Sequence, residues 1–323
     1  MGEFRDASKV TSFAPATVAN VGVGFDILGF PVEAEGDTVT AVRMEEPGVE
    51  VAAVDGVVRS LSLDPQINVA GYVAGLFLKA YGFPFGLRLY LHKGIPLSSG
   101  MGGSAASAAA ALTAAAGFLK EAPGPADLLP FALEGEKLAT GASHGDNVAP
   151  CLYGGLTLLR SAEKAEVLRL PYPPQLRVVL IHPRLELNTR DGRAALGDCF
   201  EICEFVTQSA NLAGFIAGCF RSDFDLIGRS LQDVLVEPRR ALLVPGFEEV
   251  KQAALAEGAL GFSLSGSGPS VFALCRDGES AENTAQAAEK RWNELGVETE
   301  SWVSPISDQG AHVIEVGSAE GGS

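Results

Sequence analysis

The stretch that most restricts what this chain can fold into is Ile95-Pro96-Leu97-Ser98-Ser99-Gly100-Met101-Gly102-Gly103-Ser104-Ala105-Ala106-Ser107. A run of alternating apolar residues, Gly86-Leu87-Arg88-Leu89-Tyr90-Leu91-His92, precedes it and reads as a strand. An alanine-rich run follows and reads as a helix from Ser104 to Leu119. The order strand, glycine loop, helix start gathers unpaired backbone N–H groups at the positive end of a helix dipole. Glycine then lets an anion approach the backbone closely. The same residues also suit a tight turn with no ligand, so the loop alone leaves two readings. The small side chains of the helix let it lie close to a sheet, which places it at the centre of its domain.

Composition narrows the partners. With 47% hydrophobic and 20% charged residues in 323, the chain has enough apolar surface for a full core and is long enough for two domains. No apolar run reaches the roughly 18 to 20 residues of a membrane helix. The opening residues, Met1 to Asp6, lack a basic start followed by an apolar core, so a cytoplasmic protein without a secretion signal is expected. The five cysteines form no C-x-x-C pair and are expected to be reduced and buried. A net charge of −16 argues against nucleic acid or an anionic membrane as partner. It leaves a phosphate ligand open, because backbone N–H groups and Mg²⁺ supply a local positive field. Arginine outnumbers lysine, and an acidic surface poor in lysine is compatible with a salt-adapted host.

Strands and helices mix without strict βα alternation, which indicates α+β rather than a doubly wound sheet. Strands are expected over Lys9–Val18 (broken by Pro15), Asp37–Met44 and Val49–Val54, and helices over Gln66–Tyr81 and Ala126–Ala139. The charged patch Ala162–Glu166 suggests a change of domain, giving 1–165 and 166–323. In the second part, Leu187–Arg193 is read as a helix start and Phe200–Phe220 as a helix. A hairpin-like turn, Ser265-Gly266-Ser267-Gly268-Pro269, with helices on either side, fits a split βαβ unit.

Two kinds of nucleotide loop are excluded. The glycine stretch lacks the Gly-Lys-Ser/Thr ending of a P-loop. It matches GxGxxA but has no acidic residue about 20 positions on to take a ribose. A triphosphate still needs backbone donors, a metal and metal ligands. Ser104 at the helix start and Glu136 on the next helix supply two oxygens of the kind Mg²⁺ takes. The same two residues also read as a helix cap and a solvated helix face. Asn20 and Asp26, set among apolar residues in Ala19–Asp26, either close a turn or face a ligand. His144-Gly145-Asp146-Asn147-Val148-Ala149-Pro150 is a second polar knot.

Pro96-Leu97-Ser98-Ser99-Gly100-Met101-Gly102-Gly103-Ser104-Ala105-Ala106 resembles the P-x-x-x-G-L-G-S-S-A-A signature of the GHMP kinases. Leu264–Ser270 resembles their C-terminal glycine motif. Pro15–Asp26, His144–Pro150 and Glu237-Pro238-Arg239-Arg240 with Pro245-Gly246-Phe247 look like motifs of the family's homoserine-kinase branch. The resemblance spans about residues 11 to 275. It departs from the pattern at Gly103, where the family usually has serine.

The resemblance implies an N-terminal ribosomal-protein-like α+β domain carrying the phosphate loop and a C-terminal ferredoxin-like domain. It implies ATP and Mg²⁺ as cofactors, homoserine as substrate and a homodimer. By this likeness residues 96–106 take the ATP phosphates, and Ser104 and Glu136 take the metal. Asn20, Asp26, His144, Asn147, Arg193, Arg240, Gly266 and Ser267 surround the substrate. Arg193 and Arg240 are expected to clamp its carboxylate and Asp26 to pair with its ammonium, with Arg190 and Arg239 facing solvent. Asn147, Asp146 and Asp26 are the expected catalytic residues, Asp146 as orienter or base. The rival readings are a kinase for mevalonate, a sugar or a shikimate-like alcohol, and a ligand sensor without catalysis.

Overall fold

The computed structural model describes residues 3–185, 195–197 and 199–317. The larger sheet has seven strands: β1 (Lys9–Ala19), β2 (Leu28–Met44), β3 (Val49–Gly56), β4 (Gly86–Lys93), β5 (Leu156–Ser161), β6 (Glu166–Leu170) and β11 (His312–Gly317). Its order is β11-β1-β2-β4-β3, and β5 pairs with the start of β2 and with β6. Among the described residues, only β3 and β4 run parallel in this sheet. On β4, Leu87, Leu89, Leu91 and Lys93 are buried while Arg88, Tyr90 and His92 face water, so one side of the sheet is covered and the other solvated.

Helices α1 (Val69–Tyr81), α2 (Gly103–Ala116), α3 (Pro125–Thr140) and the short α4 (Val148–Tyr153) accompany this sheet. Asn68 caps α1 by accepting from the N–H groups of Ala70 and Gly71, and Gly82 ends it in the left-handed region at φ 66°. Helix α2 packs on β1 and β2 as well as α1 and α3. Ala105 to Leu112 and Ala114 to Ala116 are all buried. Alanine is what lets a helix be enclosed on this many sides at close range. Strand β1 runs through Pro15, and its register against β2 shifts between Pro15 and Thr17. Proline has no N–H for the ladder, so the strand bends there instead of ending.

The second sheet contains β7 (Arg177–Pro183), β8 (Ala259–Leu264), β9 (Val271–Cys275) and β10 (Thr299–Pro305), all antiparallel, in the order β10-β7-β9-β8. Its helices are α5 (Ile202–Arg221), α6 (Phe224–Ser230), the four-residue α7 (Glu237–Arg240), α8 (Phe247–Ala256) and α9 (Gly278–Glu294). Chain order and strand order together make the split βαβ arrangement that the sequence suggests. Phe30 meets Phe272 edge-on at 6.0 Å, so aromatic packing joins the two sheets.

Residue 165 lies at the turn of the β5–β6 hairpin, and both of those strands stay in the larger sheet. By sheet membership the second layer begins with β7, and the chain returns to the first layer through β11, which pairs with β1. The charge run marks a solvated hairpin turn, which looks like a linker in sequence. The helix start read at Leu187–Arg193 lies outside the described residues. Cys151, Cys219 and Cys275 are buried free thiols. Cys199 and Cys203 are exposed, contrary to the expectation for all five. Burial pushes the Cys219 thiol up to about 12 and Cys275 to about 11.

Candidate active site

The loop between β4 and α2 is shaped by two left-handed glycines, Gly100 at φ 79° and Gly102 at φ 74°. A Cβ on Gly100 would stand 2.4 Å from the Ser265 carbonyl oxygen, and one on Gly102 would stand 2.1 Å from Thr17 Oγ1, so no side chain fits at either position. Gly102 is also the N-cap of α2 and brings no side-chain acceptor, which leaves the first-turn N–H groups available to an anion. Behind the loop, Lys93 and Asp37 form a buried ion pair. The Lys93 ammonium also donates to the Gly103 carbonyl at 2.9 Å and to Ser107 Oγ at 2.8 Å, while Asp37 accepts from Ser107 and from the Ile95 N–H. Both ends of the loop are thereby tied to one satisfied polar group.

Across the opening, Ser104 Oγ donates to Glu136 Oε2 at 3.1 Å. Burial, and secondarily the nearby Asp146, pushes the Glu136 carboxyl up to about 7. Burial, and then Asp26, pushes Asp146 up to about 6. His144 Nδ1 lies 3.3 Å from Asp26 Oδ2. The segment between β1 and β2 holds Asn20, Val21 and Asp26 at φ 68°, 46° and 60°. For a β-branched residue such as Val21 that conformation is costly, and such strain gathers at functional sites. The Asn20 amide accepts from the Asp26 N–H at 2.9 Å and donates to the Gly266 carbonyl at 2.8 Å. Arg240, 4% exposed, donates to the same carbonyl at 3.1 Å and lies 5.2 Å from the Phe25 ring centroid. Its neighbour Arg239 turns away to Phe200 and Glu204.

These groups line one cleft of about 810 Å³. It brings together Pro96, Leu97, Ser98, Ser99, Gly100, Gly102, Gly103 and Ser104 from the loop; Glu136, His144, Asp146 and Asn147 from α3 and the segment after it; and Asn20, Asp26, Arg240, Gly266 and Ser267. Met101, Ala105 and Ala106 belong to the core, so their side chains do not reach the cleft. Arg193 lies outside the described residues. Ala139 and Thr140 also line the cleft and were not anticipated. Thr140 is one helical turn past Glu136 and donates to its carbonyl at 3.0 Å, a spacing that could have pointed to it. Lys93, Asp37 and Thr17 support the cleft from beneath. Their signal in the sequence is a polar residue at an inward strand position.

At Gly103, a Cβ would lie 3.2 Å from Ile95 Cγ2 and 3.6 Å from Lys93 Nζ. Glycine relieves that crowding, and the Lys93 contact to its carbonyl holds the helix start without a serine hydroxyl. The donor set fits a hard cation: one hydroxyl and one carboxylate are adjacent, and that carboxylate is buried beside a second one. Among the described residues no group of three or more His, Cys, Asp or Glu is arranged for a metal.

Comparison with known proteins gives this geometry a family. Residues 68–155 match the model of the GHMP kinases N terminal domain, and residues 215–294 match that of the GHMP kinases C terminal domain. The chain belongs to the GHMP kinases. A homoserine kinase of Xanthomonas campestris pv. campestris is 44% identical over 310 residues, 96% of this chain and 95% of the relative. One from Chlorobium phaeobacteroides is 43% identical over 317 residues, covering 94% of this chain and 99% of its own. The crystal structure of homoserine kinase from Cytophaga hutchinsonii superposes with a TM-score of 0.93 at 43% identity, over 97% of this chain and 99% of that one. Within the family, the chain belongs to the homoserine kinases. A mevalonate kinase of L. major, 15% identical with a TM-score of 0.71 over 95% of this chain and 99% of its own, shares the fold.

Proposed function

We propose that this chain transfers the γ-phosphoryl group of ATP to the side-chain hydroxyl of L-homoserine, giving O-phospho-L-homoserine for threonine biosynthesis. The observation that carries the reading is the single cleft uniting the phosphate loop, the Ser104–Glu136 oxygen pair and the polar groups Asp26, His144 and Arg240. In this reading the backbone of residues 96–106 cradles the phosphates. Ser104 and Glu136 hold Mg²⁺, which when bound neutralises phosphate charge. The buried guanidinium of Arg240 takes the substrate carboxylate, and Arg193 is its proposed second clamp. Asp26, oriented by His144, takes the ammonium. Asn147 faces the reacting hydroxyl, and Asp146 orients this shell. Gly266 and Ser267 close the cleft from the second layer.

Phosphoryl transfer of this kind depends on positioning and charge neutralisation more than on a strong base, and the cleft is rich in both. A cytoplasmic homodimer goes with the family resemblance, and light scattering of the purified chain reads its mass directly. Among the described residues no helix is long and apolar enough to cross a membrane.

The deciding experiment measures ADP release from ATP and Mg²⁺ with L-homoserine, mevalonate and sugars in parallel, followed by mass spectrometry of the product. Phosphorylated homoserine is expected. Turnover of mevalonate without homoserine would overturn the reading, and binding without any turnover would favour a sensor.

A further inference from the structure

Thr17 is fully buried in β1, and its position joins two parts of the cleft. Its backbone N–H donates to the Met101 carbonyl of the phosphate loop at 3.1 Å. Its hydroxyl donates to Asn147 Oδ1 at 2.7 Å. The loop passes so close that a Cβ on Gly102 would stand 2.1 Å from Thr17 Oγ1 and 2.8 Å from Asn147 Oδ1. Asn147 sits at the N-cap of α4, where an asparagine ordinarily accepts from its own helix, yet its side chain makes no capping bond. It is turned toward Thr17 while it lines the cleft.

A hydroxyl has one proton to give. Here that proton goes to Oδ1, so the oxygen end of the amide points inward to β1. The end left for the cleft is Nδ2, which carries two N–H donors. A donor there suits an oxygen that gains negative charge during phosphoryl transfer, and it does not suit removal of a proton.

We propose that Thr17 is a positioning residue of the phosphoryl transfer, holding Asn147 so that its amide N–H groups face the reacting oxygens. The proposal rests on the kinase reading given above and adds a residue and an orientation to it. Thr17 acts through Asn147, so its effect should vanish when Asn147 is gone.

The test is a double-mutant cycle in the full chain, with initial rates in ATP, Mg²⁺ and homoserine. Thr17→Val is expected to lower kcat about tenfold, the size of one positioning hydrogen bond, with both KM values within about twofold. Thr17→Ser should restore most of the rate. In an Asn147→Ala background, Thr17→Val should lower kcat no further. An undiminished kcat in Thr17→Val, or a full additional loss in the Asn147→Ala background, would overturn the proposal. Asn147→Asp gives an independent reading should the valine variant fail to fold. It keeps an acceptor for Thr17 but removes the cleft-facing donors, so it should be as slow as Asn147→Ala, and retained activity would refute the orientation. The wild-type chain is run first with the substrate panel. If another alcohol is the acceptor, the homoserine reading fails by itself and the cycle is run on that alcohol.

Discussion

Helix α2 separates two buried charged regions that handle their charge in opposite ways. Behind the loop, Lys93 and Asp37 are each 2% exposed at the side chain and satisfy one another, Ser107, the Gly103 carbonyl and the Ile95 N–H. In front of it, Glu136, Asp146 and Asp26 gather around a single histidine. The first region is internally neutral and rigid. The second sets Glu136, Asp146 and Asp26 in one cleft with His144 and Arg240, and burial pushes the Glu136 and Asp146 carboxyls up to about 7 and about 6. Burial is therefore not what separates scaffold from site here. The difference is compensation: the scaffold ions are paired one to one, while two cleft acids, Glu136 and Asp146, lie buried close to one another.

The comparison breaks most visibly at Lys93. Lys93→Met leaves Asp37 buried and unpaired, and should destabilise the chain by about 3–5 kcal/mol. That is a fall of several degrees in Tm, and replacing Asp37 by leucine in the same chain should recover much of it. A Tm unchanged in the single variant would mean that the pair is not a support. On the other side, Glu136→Gln should lower kcat by about a hundredfold or more and raise the Mg²⁺ requirement, yet should not lower the Tm of the nucleotide-free protein at pH 8. A rate and Mg²⁺ dependence like the wild type would remove Glu136 from the metal.

Arg240→Ala should raise the homoserine KM by about 10- to 100-fold, the range for a charged hydrogen bond, with the ATP KM little changed. An unchanged homoserine KM would reassign the carboxylate clamp.

A smaller effect follows from the raised carboxyls. Glu136 and Asp146 hold protons more tightly folded than unfolded, so across the interval from the ordinary values of 4.5 and 3.8 to about 7 and about 6 the native state binds more protons. These two groups therefore make the nucleotide-free protein less stable as pH rises through that interval, the reverse of a salt-bridged carboxylate. Thermal melts of wild type and the Glu136→Gln, Asp146→Asn pair should differ in slope against pH there, and parallel slopes would contradict it. Smallest of all, a net charge of −16 predicts a modest gain in Tm with KCl through screening of self-repulsion.

Much of this was legible from the residues because it is local. The glycine loop, the alanine helix behind it and the hairpin turn at Ser265–Pro269 are written in backbone freedom and side-chain size, which act over a few residues. The same local logic paired Ser104 with Glu136 as candidate metal ligands. The charge run near 165 marks a hairpin turn, and β6 and β11 were missed because neither shows an inward alternation: β11 lies at the sheet edge and most of its side chains face water.

Alone, the sequence determined a glycine turn at the start of a packed alanine helix, and its motifs named the family. Only the tertiary structure decided that Arg239 packs on Phe200 and Glu204, that Asn20 ties the β1–β2 segment to Gly266, and that Thr17 and Lys93 stand behind the loop. Each of these is a contact between residues far apart in the chain, set by sheet register and by which face of a short helix turns inward. No pattern confined to a few neighbouring residues carries that information. The glycine at 103 shows the division well. In sequence it is a missing serine; in space a Cβ there would press on Ile95 Cγ2 at 3.2 Å, and Lys93 holds the carbonyl.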